Sequence, residues 1–295
     1  MKHSHAHDQS NTGNLKLAFF LNFGFTIFEL IGGVWTNSIA IVADALHDLG
    51  DSFSLGLAWF LDHYAQKRDD PDYSYGYRRY SLLGALINAL GLIGGGLMVI
   101  YEAGPRLLSP EPTYAPGMIV FAVVGITVNG LAAWRLKGGD SLNAKVVGWH
   151  LLEDVLGWVA VLVVSILLLF FDFYVLDPLL SILITIFILY NVVRNLGKTI
   201  AIFLQAVPEG VDLKQLVAKI QKIDAVQSTH HTHAWSLDGQ HHVMSTHVVV
   251  PDEATKSEIL QLKRHIIDLT QDSGFEHVTI EVEYENEDCR MRSTN

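Results

Sequence analysis

The sequence contains little cysteine and little charge. Cys289 is its single cysteine among 295 residues, and 17% of the residues are charged. One cysteine excludes an intrachain disulfide and any cysteine-only zinc cluster within one chain. Basic residues are also scarce, with 20 Lys and Arg against 31 Asp and Glu and a net charge of −11. Nucleic-acid binding requires a basic face, so this balance argues against it and is compatible with handling cations.

Hydrophobic residues are abundant and unevenly distributed. They make up 50% of the chain, and the mean hydropathy is +0.29. The long apolar runs lie between residues 15 and 205, where we predict six membrane-spanning helices. These are near 15–35, 39–62, 81–101, 114–136, 143–171 and 174–204. The polar start of the chain has no apolar core followed by a cleavage site, so we expect no signal peptide.

This distribution predicts three segments. They are a His-bearing tail at 1–14, a transmembrane domain at 15–207 and a C-terminal domain at 208–295. Lys and Arg are concentrated before the first span and in the loops after the second and fourth, so we expect both termini in the cytoplasm. His3, His5 and His7 of the tail are compatible with weak metal capture or with a disordered segment.

The C-terminal segment alternates between helical and strand patterns. Helical spacing at 212–223 is followed by strands at 228–236 and 242–250, a helix at 252–272 and a strand at 277–284. This αββαβ order predicts a small α+β domain with its helices on one face of the sheet. A domain of this size is marginally stable alone, so docking or dimerisation is expected.

Two identical His-x-x-x-Asp pairs lie inside the apolar runs. They are His47 with Asp51, and His150 with Asp154. Residues four apart share a helix face, and an ionisable side chain in hydrocarbon costs on the order of a few kcal/mol, so it usually has a function. Two pairs on two spans supply four nitrogen and oxygen ligands, the number that tetrahedral Zn²⁺ takes. A purely structural role for two copies of one spacing is the weaker interpretation.

Other polar residues accompany these pairs. Asp51 is favoured over Asp48 as the acidic partner, because Asp51 shares a helix face with the histidine. Asp44, one turn away, and Asn22 on the first span are candidates for supporting the ligands indirectly. Glu29 is interpreted as a buried partner of another polar residue rather than as a ligand.

Histidine is frequent in the C-terminal domain. His230 and His247 fall on two strands that are predicted to pair, while Glu281 and Glu283 point to one face of a third strand. Single histidines of this kind are usually solvated surface residues, whereas a His/Glu cluster can bind Zn²⁺ or a similar ion. For the cluster as a whole, we favour a metal site.

Four runs of the sequence resemble the cation diffusion facilitator family of zinc exporters, over nearly the whole chain. They are SIAIVADALHDLGD (38–51), SLNAKVVGWHLLED (141–154), YGYRR and HHTHAWSL (230–237). The resemblance implies a homodimer, in a bacterial inner membrane, that exports Zn²⁺ and related divalent cations in exchange for protons. The transport site that it implies consists of His47, Asp51, His150 and Asp154. It also implies a metallochaperone-like C-terminal domain, with a regulatory metal site at His230, His247 and Glu283.

Two departures from the family pattern concern the dimer contact and the loop after the second span. Gln205 stands where many members have an acidic residue that helps to lock the dimer through an ion pair, so we do not assume that lock. Tyr73 and Tyr77 stand where some members place histidines in the loop after the second span, so we do not expect a metal site there.

Three other functions are compatible with metal ligands in a membrane. An intramembrane metalloprotease typically needs H-E-x-x-H, which the sequence lacks, and we expect no enzymatic activity. A passive cation channel is disfavoured, because ligands strong enough to strip the hydration shell of Zn²⁺ slow its release. A membrane metal sensor without transport stays open at this point, and a flux measurement distinguishes it.

Overall fold

The computed structural model describes residues 8–65, 70–136, 142–271, 273–289 and 291. His3, His5 and His7 lie outside these residues. The helices of the N-terminal part are α1 (Asp8–Thr36), α2 (Ile39–Ala65), α3 (Tyr80–Leu108), α4 (Ala115–Leu136), α5 (Leu142–Phe170) and α6 (Leu176–Phe203). The C-terminal part contains α7 (Leu213–Ile220), β1 (Ser228–Ser236), β2 (His242–Val250), α8 (Lys256–Gln271) and β3 (Phe275–Tyr284).

Five helices in the described ranges are long and apolar enough to cross a membrane. The qualifying stretches are Phe19–Thr36, Tyr80–Leu108, Ala115–Arg135, Leu151–Phe170 and Leu176–Phe203. Helix α2 has sufficient length, at 27 residues, but four aspartates along it interrupt its apolar run. The protein therefore has a helical membrane domain with five candidate spans, followed by a C-terminal domain with a small β-sheet.

Two helices extend well beyond the bounds that the hydropathy pattern predicted. Helix α1 begins at Asp8, inside the segment predicted as a tail, and α3 continues through Pro105 to Leu108. Hydropathy marks only the part of a helix that matches the bilayer core. The backbone hydrogen bonds continue into polar sequence, because adding a residue to an existing helix is far easier than starting one.

The chain divides into two compact units. The first contains α1, α2 as far as His63, and the segment Gly84–Leu196. The second contains Tyr64–Leu83 and Gly197–Asn295. The connection between α2 and α3 thus groups with the C-terminal domain. The domain boundary at 207/208 stays a prediction.

Aromatic rings packed against glycines hold the helices of the first unit together. Trp158 of α5 is 1% exposed and lies against Gly125 of α4, where an added Cβ would come within 2.3 Å of the indole ring. Phe121 of α4 contacts Gly32 of α1 equally closely. Such contacts bring helix backbones near one another, and they fix α4 between α1 and α5.

The C-terminal domain has a three-stranded sheet in the order β1-β2-β3. Strand β1 pairs antiparallel with β2, and β2 pairs parallel with β3, with α8 forming the crossover. One face of the sheet carries the apolar core with α7 and α8. Its most buried members include Ile220, Met244, Val248, Leu262 and Ile266. On β3, Val278, Ile280 and Val282 pack against this core, so the alternating residues, including Glu281 and Glu283, belong to the opposite, open face.

Candidate metal centres

The first His-Asp pair lies on one face of α2. The Nε2 atom of His47 is 3.7 Å from Oδ2 of Asp51, and the two side chains are 23% and 28% exposed. His47 also lines a cavity of about 500 Å³ whose other walls come from α1, α3 and α6. Because the pair is half-buried and borders a cavity, an ion entering the helix bundle could reach it.

The second pair lies on α5, which carries His150 and Asp154 one turn apart. The side chain of His150 lies outside the described part of the structure. Asp154 is half-buried and interacts electrostatically with Asp44 of α2 and Glu29 of α1. Asp44 interacts in turn with Asp51. The structure therefore brings Asp154 and the acidic residues of α2 into one region between α1, α2 and α5.

Acidic side chains are deeply buried in this region. Glu29, Asp44 and Asp48 are 0%, 7% and 6% exposed, and the charge of Glu29 interacts with both aspartates. The helix-face argument favoured Asp51 over Asp48 as a ligand. Of these two aspartates, Asp48 is the more buried. Neighbouring carboxylates repel each other in a low-dielectric interior. Such a cluster is stable only when cations or protons neutralise part of its charge.

Asn22 connects α1 to α2 beside the first pair. Its Nδ2 donates to the backbone oxygen of Asp48 at 3.2 Å and to Oγ of Ser52 at 2.9 Å. Thr26, one turn further along α1, donates from Oγ1 to the backbone oxygen of Asn22 at 3.0 Å. The two bonds of Asn22 connect α1 to α2 at positions on either side of Asp51. Indirect support of the ligands by Asn22 stays a prediction.

A second cluster lies on the open face of the C-terminal sheet. It consists of His230, His247, Glu283 and Cys289, whose ligand atoms all lie within 4.8 Å of one another. Nδ1 of His247 is 2.6 Å from Oε1 of Glu283, and Nε2 of His230 is 3.0 Å from Oε2 of the same carboxylate. Sγ of Cys289 is 3.7 Å from Nδ1 of His247. The structure brings together the three residues predicted for this site and adds Cys289, which the sequence analysis missed.

Strand register explains how the first three residues meet. His230 and His247 are direct partners in the antiparallel pair of β1 and β2. A bulge follows at once in β1, where His231 has a φ of 47°, and it changes the strand register beyond His230. On β3, Glu283 pairs with Val249, so its side chain lies diagonally next to His247 on the same face.

The charge state of Glu283 suits a cation. Burial tends to raise the pKa of its carboxyl, since only 5% of the residue is exposed. Hydrogen bonds from His247 and Cys289, together with the charges of His230 and His247, outweigh burial and lower the pKa below its ordinary value. Glu283 is therefore ionised at neutral pH, the form in which a carboxylate binds metal.

Tyrosines surround Asp70 in the loop between α2 and α3. Tyr77 donates from its hydroxyl to Oδ2 of Asp70 at 2.7 Å, and this hydrogen bond raises the pKa of Tyr77 to about 12. The backbone amides of Asp72 and Tyr73 donate to the other carboxylate oxygen at 3.0 and 2.8 Å. These tyrosines thus form a hydrogen-bonded aromatic cluster in the loop where the family resemblance had suggested histidines in some members.

Two family profiles match the chain. The one described as the cation efflux transmembrane domain matches residues 15–204, and the one described as the cation efflux protein, cytoplasmic domain, matches residues 208–285. The chain belongs to the cation diffusion facilitator family. Membership in this family makes it an integral membrane protein of divalent cation efflux, in a family of transporters rather than enzymes.

Full-length similarity to other cation diffusion facilitators supports this assignment. The cadmium, cobalt and zinc/H(+)-K(+) antiporter of Bacillus subtilis (strain 168) is 35% identical over 292 residues, covering 97% of this chain and 93% of the relative. The zinc transporter ZitB of Escherichia coli (strain K12) is 30% identical over 305 residues, covering 99% and 96%. The metal cation efflux system protein CzcD of Cupriavidus metallidurans is 33% identical over 288 residues, covering 95% and 89%.

Proposed function

We propose that this protein exports Zn²⁺ from the cytoplasm in exchange for protons. The transport site consists of His47, Asp51, His150 and Asp154. The observation that carries the proposal is the electrostatic interaction of Asp154 on α5 with Asp44, which lies about one turn before His47 on α2. Two nitrogen and two carboxylate ligands suit tetrahedral Zn²⁺, and Cd²⁺ is a further substrate.

Exchange follows from the chemistry of these ligands. Histidine binds metal only when neutral and carboxylates bind it when ionised, so protons compete directly with Zn²⁺. A site open to a neutral cytoplasm loads metal, and a site open to a more acidic exterior exchanges the metal for protons. The buried Glu29, Asp44 and Asp48 support this scheme, because their negative charges require neutralisation by either Zn²⁺ or protons.

The proposed architecture has six spans, with α2 as the second, and both termini in the cytoplasm of a bacterial inner membrane. Alternating access arises as some helices rock against others around the site near the middle of the bilayer. The protein works as a homodimer through its αββαβ C-terminal domain. The names of two relatives, a zinc/H(+)-K(+) antiporter and a zinc transporter, support zinc as substrate and antiport as mechanism.

The C-terminal cluster has a regulatory role in this proposal. Cytoplasmic Zn²⁺ binds His230, His247 and Glu283, tightens the domain near the dimer interface and favours transport. The short distances between these side chains support the assignment, because little movement is needed for all three to reach one ion.

Metal uptake into inside-out vesicles tests the transport assignment. With an imposed pH gradient, the wild-type protein accumulates Zn²⁺ with saturating kinetics, whereas His47→Ala and Asp154→Ala do not. Asp172→Ala is the matched control, because Asp172 is an exposed acid after α5. Wild-type flux in the two site variants would overturn the site. Absence of flux in the wild type would indicate a sensor, and unsaturable flux indifferent to the pH gradient would indicate a channel.

A further inference from the structure

We propose that Cys289 is the fourth ligand of the C-terminal metal site and makes it a closed His₂-Glu-Cys site, within a single protomer, for thiophilic divalent cations such as Zn²⁺ and Cd²⁺. This inference rests on the regulatory metal site of the proposed function and concerns the ligand that completes it. Cys289 is the one residue of the cluster that neither the strand pattern nor the family resemblance supplied.

The distances fit a tetrahedral ion. Ligand atoms at about 2.0–2.3 Å from a tetrahedral metal stand about 3.3–3.8 Å from one another. The 3.7 Å separation between Sγ of Cys289 and Nδ1 of His247 already lies in this range. The two contacts with Glu283, at 2.6 and 3.0 Å, are hydrogen-bond distances, and they must lengthen only by several tenths of an ångström to admit an ion.

The chain bends to bring Cys289 to the cluster. Strand β3 ends at Tyr284, and a turn closed by the amide of Glu287 on the backbone oxygen of Tyr284, at 2.9 Å, redirects the chain. As a result, only 6% of Cys289 is exposed, and its thiol donates a hydrogen bond to the carboxylate of Glu283. A buried free cysteine ordinarily packs as a small hydrophobic residue. Here its neighbours are a carboxylate and an imidazole.

Charge balance favours the fourth ligand. A thiolate and the Glu283 carboxylate together carry two negative charges, which one divalent ion neutralises. Without the thiolate, three ligands leave a coordination position open and the buried site with a net positive charge. Sulfur also makes the site softer, so we expect Zn²⁺, Cd²⁺ and Co²⁺ to bind in preference to Mn²⁺ and Mg²⁺.

Because the chain has one cysteine, a spectroscopic test of this ligand is unambiguous. Purified full-length protein in detergent is titrated with Co²⁺ or Cd²⁺, and the sulfur-to-metal charge-transfer band in the ultraviolet is recorded. The expected result is a band that disappears in both Cys289→Ser and Cys289→Ala. In Asp154→Ala, in which a transport-site ligand is removed, the band should saturate at one metal per protomer. His233→Ala, which removes an exposed histidine of β1, and Asp154→Ala, at the transport site, should both keep the band.

The outcomes separate this inference from the proposed function. If the wild type shows no band while calorimetry finds a bound metal that Glu283→Gln removes, Cys289 is not a ligand and the three-residue site stands. If neither method detects metal at the C-terminal domain, the regulatory site and its fourth ligand both fail. Export itself is judged separately, by vesicle flux. A band at one metal per two protomers would overturn the single-protomer site, because it would place the cysteine between chains.

Discussion

Asp177 of α6 caps the first turn of α2. Its carboxylate accepts a hydrogen bond from Oγ of Ser38 at 2.5 Å and another from the backbone amide of Ile39 at 2.8 Å. Asp177 is fully buried, and the amides at the start of a helix otherwise have no partner. This contact ties the helix that carries His47 to α6, at the end of α2 opposite to its connection with α3.

Replacement of Asp177 should therefore loosen α2. We expect Asp177→Ala to lower the free energy of unfolding by about 1–3 kcal/mol, because two buried donors lose their acceptor. Asp177→Asn keeps one carbonyl oxygen and should cost less. The measurement is the melting temperature in detergent. Asp172→Ala is the control, since Asp172 is an exposed acid whose carboxylate accepts a hydrogen bond from the hydroxyl of Tyr174. Equal melting of Asp177→Ala and the wild type would contradict the capping role.

Asn22 provides a test of indirect support at the transport site. We expect Asn22→Ala to reduce Zn²⁺ flux several-fold without abolishing it, because α2 loses the two bonds from Asn22 on either side of Asp51 while every proposed ligand remains. Vesicle uptake at several Zn²⁺ concentrations measures the effect. Asn88→Ala is the control, since Asn88 also bonds α2, through Ser54 at 2.6 Å, but from α3. A complete loss of flux would instead make Asn22 part of the ligand set.

The C-terminal cluster shows what the sequence could and could not predict. Alternation of apolar and polar residues predicted strands at 228–236 and 242–250, and the structure has β1 and β2 at Ser228–Ser236 and His242–Val250. Regular pairing from the turn would place His230 opposite Val248. The bulge between His230 and His233 shifts the register by one residue, so that His230 lies opposite His247, and alternation alone does not predict this shift. Cys289 lies beyond β3, after a turn, where no periodicity applies. Its position depends on how the chain folds back, which local pattern does not encode.

The transport region shows the same limit. Helical spacing correctly placed His47 and Asp51 on one face, because that relation depends only on the pitch of a helix. The burial of Asp48 and its proximity to Glu29 depend on how α1 packs against α2. That packing is set by contacts between distant residues, such as the bonds of Asn22, and a hydropathy profile carries no information on it.

Asp238 makes part of the C-terminal domain sensitive to acid. It accepts from the backbone amides of Gln240 and His241, both at 2.9 Å, in the turn between β1 and β2. Burial tends to raise the pKa of its carboxyl, but these bonds and the His241 side chain outweigh burial and lower the pKa below its ordinary value. A lowered pKa means that the stabilisation is complete above the ordinary value of about 3.9 and is lost as the pH falls through the folded-state pKa.

Deuterium uptake by the turn between β1 and β2 measures this contribution. At neutral pH we expect faster uptake in Asp238→Ala than in the wild type, since two amides lose their acceptor. After correction for intrinsic exchange, the difference should shrink as the pH falls below the ordinary pKa of about 3.9 and through the lowered pKa of the folded carboxyl. The peptide covering α8 serves as an internal control and should exchange alike in both proteins. A difference that persists unchanged in acid would contradict the assigned role of the carboxylate.

Gln205 ends α6 in a conformation that normally favours glycine. Its φ is 58°, its amide donates to the backbone oxygen of Ile202 at 3.0 Å, and the amide of Ala206 donates to that of Ala201 at 2.9 Å. These two bonds are the Schellman pattern of a helix C-terminus, in which a left-handed residue follows the last helical one. A side chain at this position is strained, because its Cβ approaches the following carbonyl oxygen.

Gln205→Gly should therefore stabilise the protein. The free energy gained by relieving the left-handed strain exceeds the entropic cost of a more flexible unfolded chain. We therefore expect a net increase of about 0.5–1 kcal/mol in the free energy of unfolding. Gln205→Ala keeps the Cβ and should show no such gain, so the pair isolates backbone strain from loss of the amide group. Melting temperatures in detergent measure both variants. A gain shared equally by the two would assign the effect to the glutamine side chain instead, and a loss in Gln205→Gly would show that the glutamine makes a stabilising contact at the end of α6.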